Sequence, residues 1–128
     1  MKLLLDSHTL IWALDSPDNL GAQARELLKD KSNELFISSG TIWEIAIKVG
    51  LGKLTLSMPF KKWMRRGIAG LEISVLPITI EHADMQAKLP EYHGDPFDRL
   101  LVGQSQVENI PIVTKDSHLT KYGIDIFW

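Results

Sequence analysis

The sequence predicts an α/β domain in which a five-stranded parallel β-sheet carries helices on both faces. Three observations lead there. Short, mostly apolar runs alternate along the chain with longer stretches whose apolar residues recur at helical spacing. The first run, "KLLL", is apolar at three consecutive positions, as a strand buried on both faces must be. No repeat, low-complexity tract or linker divides the 128 residues, so residues 1–128 form one domain, long enough to bury a core without disulfides or a structural metal.

Taken in order, the first strand is Lys2–Leu5, and it ends abruptly at the carboxylate of Asp6. A helix follows over Thr9–Leu14, for which Asp6 or Ser7 is the natural N-cap. A second helix spans Ala22–Lys31, and Leu35–Ser38 is the second strand. Thr41–Val49 is helical, with Ile42, Ile45, Ala46 and Val49 as its apolar stripe, and Gly50-Leu51-Gly52 closes it. Met58-Pro59 marks the boundary before the helix Phe60–Ala69, and Glu72–Leu76 forms the third strand. The helix Ile80–Leu89 stops at Pro90. Asp95-Pro96 then starts the helix Phe97–Glu108, with Asp as N-cap and Pro preset for the first helical position. Pro111–Thr114 and Asp125–Phe127 complete the strands.

Composition narrows the function. With 45% hydrophobic and 23% charged residues the chain has an ordinary globular composition. The absence of Cys excludes a disulfide framework, a thiolate zinc site and a Cys nucleophile. Asp6 cuts the N-terminal apolar run too short for a signal peptide, and no segment has the length of a membrane span, so the expected location is cytoplasmic. A net charge of −2 means that any nucleic-acid partner is met by a local patch.

The chemistry lies in the acids. Ligands of open parallel sheets bind beyond the carboxyl ends of the strands, where strand order reverses. Asp6 follows the first strand and Asp116 the fourth, so both belong at that edge. Asp98 falls in the first turn of its helix, where negative charge suits the dipole. Helical spacing beds it beside Leu101, Val102 and Ser105, with Arg99 directed elsewhere. Glu44 lies nearly opposite the apolar stripe of its helix and four residues before Lys48. That reads as a solvated pair worth roughly 0.3–0.5 kcal/mol. Asp116 could equally cap the short turn at Ser117-His118, with the Thr114 and Ser117 hydroxyls nearby. Four carboxylates within about 5 Å would repel by roughly 3 kcal/mol per pair, so such a cluster protonates or holds hard cations. An all-oxygen set suits Mg²⁺ or Mn²⁺. Spacing does not decide whether the four converge.

"LLLDSHTLIW", "SSGTIWEIAIKVGLGKL", "HGDPFDRLLVGQS" and "IPIVTKDSHL" together resemble the PIN-domain proteins, particularly the VapC-type toxins of bacterial toxin–antitoxin pairs. The resemblance covers essentially the whole chain in order, and DPFDRLL is its most specific part. It implies a PIN-like three-layer sandwich with an acidic pocket at the carboxyl edge of the sheet. The implied activity is Mg²⁺- or Mn²⁺-dependent endoribonuclease cleavage. Asp6, Glu44, Asp98 and Asp116 take the catalytic and metal-ligand positions; Ser7, Thr114 and Asp95 support them. The implied partners are substrate RNA, a cognate antitoxin and a second copy or a toxin–antitoxin hetero-oligomer. Where the family more often has Ala-Gln-Ala, this chain has Gly103-Gln104-Ser105, which leaves every acid in place.

Beyond the acids, "FKKWMRR" sets Lys61, Lys62, Arg65 and Arg66 on one broad helix face, a candidate phosphate-tracking patch or a plain solvated face. His8, His93 and His118 read as structural or peripheral. Trp12, Trp43, Trp63 and Trp128 read mostly as core. A signalling receiver domain is disfavoured, because the first strand ends in Asp6-Ser7 rather than paired acids and the third ends at Leu76-Pro77. The alternatives that stay open are a PIN-like module that binds RNA or a partner without cutting, and a metal-dependent DNA nuclease.

Overall fold

A computed structural model describes all residues, Met1–Trp128. The strands are β1 (Lys2–Leu5), β2 (Glu34–Ser38), β3 (Ser74–Leu76), β4 (Ile112–Val113) and β5 (Ile126–Phe127). They form one sheet in the order β3-β2-β1-β4-β5, and every pairing is parallel. The helices are α1 (Ser7–Asp15), α2 (Ala22–Lys29), α3 (Ser39–Gly50), α4 (Phe60–Gly70), α5 (Ile80–Ala87) and α6 (Pro96–Glu108). Short 3₁₀ turns occupy Pro17–Asn19 and Ser117–Tyr122. No helix is long and apolar enough to cross a membrane.

β1 is central because its alternate leucines serve opposite faces. Leu3 and Leu5 join Leu10 of α1, Ala24 of α2, Ile45 of α3 and Trp63 and Met64 of α4. Leu4 joins Ile112, Leu101 and Val102 of α6, and Leu89, Leu119 and Tyr122. All three leucines are fully buried. At roughly 1.5–3 kcal/mol for each such side chain, the triplet makes β1 the spine of a three-layer sandwich. The sheet order reverses between β2 and β4 on either side of β1, so the switch point lies at the carboxyl end of β1, beside that of β4.

Several element ends differ from expectation for local reasons. α1 begins at Ser7 because Asp6, and not Ser7, is the N-cap, accepting the Thr9 N–H at 2.8 Å. α2 stops at Lys29 because the Asp30 carboxylate turns to accept the Ser32 N–H and hydroxyl. β3 begins at Ser74 because Glu72 adopts a left-handed backbone (φ 54°) just after α4. α5 ends at Ala87, where the Arg99 guanidinium donates to the Gln86, Leu89 and Pro90 carbonyls. Arg99 is thereby turned away from Asp98, as its helical position requires.

α5 and α6 pack closely. A Cβ on Gly103 would lie 3.1 Å from the His82 carbonyl oxygen, tighter than ordinary contact, which accounts for glycine in mid-helix despite its propensity cost of about 1 kcal/mol. His82 is fully buried. It completes a capping box with Thr79 and bonds through Nε2 to Glu108 at 2.8 Å, tying the two helices together. Of the tryptophans, Trp63 is core, Trp12 and Trp128 are half-buried, and Trp43 is exposed against Phe97.

Candidate active site

The carboxyl ends of β1 and β4 open into a pocket of about 320 Å³ lined by Asp6, Ser7, Glu44, Lys48, Asp95, Asp98 and Asp116, with His8, Trp12 and Lys115 also on its wall. Four chain segments widely separated in sequence deliver these acids.

Asp6 leaves β1 as the strand gives way to α1. Its Oδ1 accepts from the Thr9 N–H (2.8 Å) and hydroxyl (2.7 Å), and its Oδ2 accepts from the Thr114 hydroxyl at 2.6 Å. Thr9 and Thr114 are both fully buried, so the carboxylate is fixed on both oxygens. One residue thus caps a helix, links β1 to β4 and faces the pocket.

Glu44 corrects the sequence reading. It is buried rather than solvated, with 4% exposure, and its Oε2 accepts from Lys48 at 2.6 Å and from the Ser7 hydroxyl at 3.4 Å. The face opposite the apolar stripe of α3 is not open water, because α1 and α6 pack beside that helix. The Glu44–Lys48 pair does form, but on the wall of the pocket. Burial by itself would lower the Lys48 ammonium; the Glu44 bond, reinforced by Asp95 and Asp98, more than offsets this and holds it above the usual lysine range.

Asp98 is the most perturbed group. Burial, then the negative charges of Asp95, Glu44, Asp6 and Asp116, push its carboxyl up to about 6, and no hydrogen bond counters them. It stands in the first turn of α6, capped by Asp95, whose Oδ1 accepts the Phe97 and Asp98 N–H groups at 2.8 and 3.2 Å. Asp116 behaves in the opposite way. Burial alone would raise it, but bonds from His93 and the His118 N–H hold it below the ordinary carboxylate range. Thr114 accepts the Asp116 N–H at 3.0 Å, so this one threonine braces both Asp6 and Asp116.

The tightest ligand-competent group is not the four acids. Single ligand atoms of His93, Asp98 and Asp116 lie within 4.8 Å of one another, while Asp6 and Glu44 face the same pocket outside that trio. His93, which the sequence reads as structural or peripheral, has its Nε2 3.0 Å from Asp116 Oδ2. It sits in an aperiodic loop, so hydrophobic spacing carried no signal for it. Lys48 and Lys115 were likewise unmarked as pocket residues. The basic residues Lys61, Lys62, Arg65 and Arg66 are exposed on α4 and do not line the pocket. A mutually repelling acid set on rigid strand and helix ends, with a carboxyl near 6, is chemistry suited to a divalent cation.

A doubly wound parallel sheet with acids gathered at its switch point defines a three-layer α/β protein with an acidic pocket. The chain belongs to the PIN domain family, which it matches over residues 3–125. It is 26% identical to Ribonuclease VapC22 of Mycobacterium tuberculosis over 121 residues, covering 94% of this chain and 91% of that protein. Its fold resembles the crystal structure of VapBC2 from Rickettsia felis bound to a promoter DNA fragment, with a TM-score of 0.72, 14% identity and coverage of 99% and 98% of the two chains. It also resembles FitAcB from Neisseria gonorrhoeae, with a TM-score of 0.62, 17% identity and coverage of 98% and 96%.

Proposed function

We propose that this protein is a metal-dependent endoribonuclease that hydrolyses RNA phosphodiester bonds, acting in the cytoplasm as the toxin of a toxin–antitoxin pair. One observation carries the reading: Asp6, Glu44, Asp98 and Asp116, from four separate segments, line one pocket in which burial, then the negative charges of Asp95 and the other acids, push Asp98 up to about 6. The ribonuclease named for the mycobacterial relative supports it, and the VapBC2 and FitAcB structures share its fold.

Mg²⁺ or Mn²⁺ held by these acids would stabilise charge on the phosphate oxygens and lower the pKa of an attacking water. The protein's own part is placement. Thr9 and Thr114 fix Asp6; Ser7 and Lys48 fix Glu44; the Asp95 cap sets the start of α6 and so the position of Asp98. Lys48 and Lys115 on the wall offer positive charge to a substrate phosphate at the pocket, and Lys61, Lys62, Arg65 and Arg66 extend that attraction along α4. A cognate antitoxin and a second copy of the chain are the protein partners of this reading.

The test is incubation of purified, antitoxin-free protein with total RNA, with and without Mg²⁺ or Mn²⁺, followed by mapping of cut ends. Single-stranded DNA runs in parallel. Discrete RNA cuts that need the cation and vanish in Asp98→Asn are expected. RNA left intact under every metal condition overturns the reading, and cuts confined to DNA reassign the substrate. Reversing Lys61 and Arg65 to Glu should weaken RNA binding and flatten its dependence on salt, measured by anisotropy titrations. An unchanged slope makes α4 a plain solvated face.

A further inference from the structure

We propose that His93 is a nitrogen ligand of the bound cation, forming with Asp98 and Asp116 a mixed nitrogen–oxygen subsite within the acidic pocket. This rests on reading the pocket as a divalent-cation site, and goes beyond it by adding a ligand of a different chemical kind. The geometry is the first support. One ligand atom from each of the three residues falls within 4.8 Å of the others. Oxygen and nitrogen ligands each about 2.1 Å from one ion stand roughly 3–4.2 Å apart, so a small contraction closes the trio around a single ion.

The surroundings of the ring are the second support. His93 sits in the α5–α6 loop with its side chain only 15% exposed, held between the rings of Tyr122 (5.8 Å) and His118 (6.3 Å). The adjoining Tyr92 packs on Tyr122 at 5.1 Å, fixing the loop that presents it. Its orientation is therefore built in. Nε2 points at Asp116, while Nδ1 is buried without a hydrogen-bond partner. Nε2 is therefore the ring nitrogen aimed at the acids, and the packing of the ring holds it there. Asp98 supplies the complementary need: it is half-buried and repelled by four other carboxylates, with no donor of its own.

The consequence is selectivity. Mg²⁺ favours an all-oxygen octahedron, whereas an imidazole in the set shifts preference toward transition ions. The inferred subsite discriminates in favour of Mn²⁺ over Mg²⁺, and His93 is the residue responsible.

The experiment uses the full chain loaded with Mn²⁺ and examined by electron spin echo envelope modulation. Unlabelled protein should show a directly bound ¹⁴N. Protein carrying ¹⁵N-histidine should show the ¹⁵N pattern in its place, a result that requires no mutation. His93→Gln should lose the nitrogen modulation and bind Mn²⁺ about tenfold or more weakly by titration calorimetry, with a smaller change for Mg²⁺. Bound Mn²⁺ without nitrogen modulation overturns the ligation and reduces His93 to a hydrogen-bond donor that orients Asp116. Modulation that survives in His93→Gln overturns it too, assigning the nitrogen elsewhere. Either result leaves the metal-nuclease reading intact if RNA is still cut. Failure of the wild-type protein to bind Mn²⁺ or Mg²⁺ at all removes both.

Discussion

Asp98 shows how a single carboxyl joins stability to chemistry. In the folded, metal-free chain it ionises near 6, against an ordinary value of 3.8. Below about pH 4 it is protonated in both folded and unfolded chains and costs nothing. Between about 4 and 6 the folded state keeps the proton more tightly, so stability falls as pH rises through this window and stays reduced above it. Because Asp98 is partly exposed, solvent screening leaves a penalty of only about 1 kcal/mol at neutral pH. Asp98→Asn should therefore abolish RNA cleavage yet raise the metal-free Tm by a few degrees at pH 7, and leave it unchanged near pH 4. Circular dichroism melts across that range check it; an Asn variant less stable at pH 7 contradicts the repulsion. Glu44 makes the converse point. Lys48 is its only cationic partner, so Lys48→Met should strand a buried carboxylate and lower the metal-free Tm, and added Mn²⁺ should recover part of the loss.

At the scale of elements, α6 carries the site because its start is tightly defined. Asp95 both caps it and repels Asp98, and two substitutions separate these effects. Asp95→Ala should cost about 1 kcal/mol through loss of the cap. Asp95→Asn keeps a capping oxygen and should be near neutral in stability while easing Asp98 back toward the ordinary range, measurable by NMR titration of the side-chain carboxyl. Equal destabilisation by both would deny the cap its role. The Asp-Pro pair made this element readable in sequence, and the three leucines did the same for β1, because cap chemistry and two-faced burial are local signals. Glu44 was misread because a helical wheel assumes one wet face, and α3 is enclosed by α1 and α6. The contact of His93 with Asp116 carried no sequence signal because loops have no period. The early part of the expected third strand failed at Glu72, where the turn out of α4 imposes a positive φ that residue type did not announce.

Across the whole molecule, the pocket closes only when the sheet does. β1 and β4 pair through Leu4 and Ile112, and the Thr114–Asp6 bond spans 108 positions of sequence. A cation held among these segments would link the two halves of the chain. At a hundred times its dissociation constant it should add about 2.7 kcal/mol to stability, seen as a rise in Tm that a chelator reverses. A Tm indifferent to Mn²⁺ and to chelator would mean that the pocket traps no ion. The same long-range closure bears on the order of assembly. In chain order Asp6, Glu44 and Asp98 all precede Asp116, so the pocket cannot form before β4 has paired with β1. Until Asp116 has been added, the acid set that lines the pocket is incomplete.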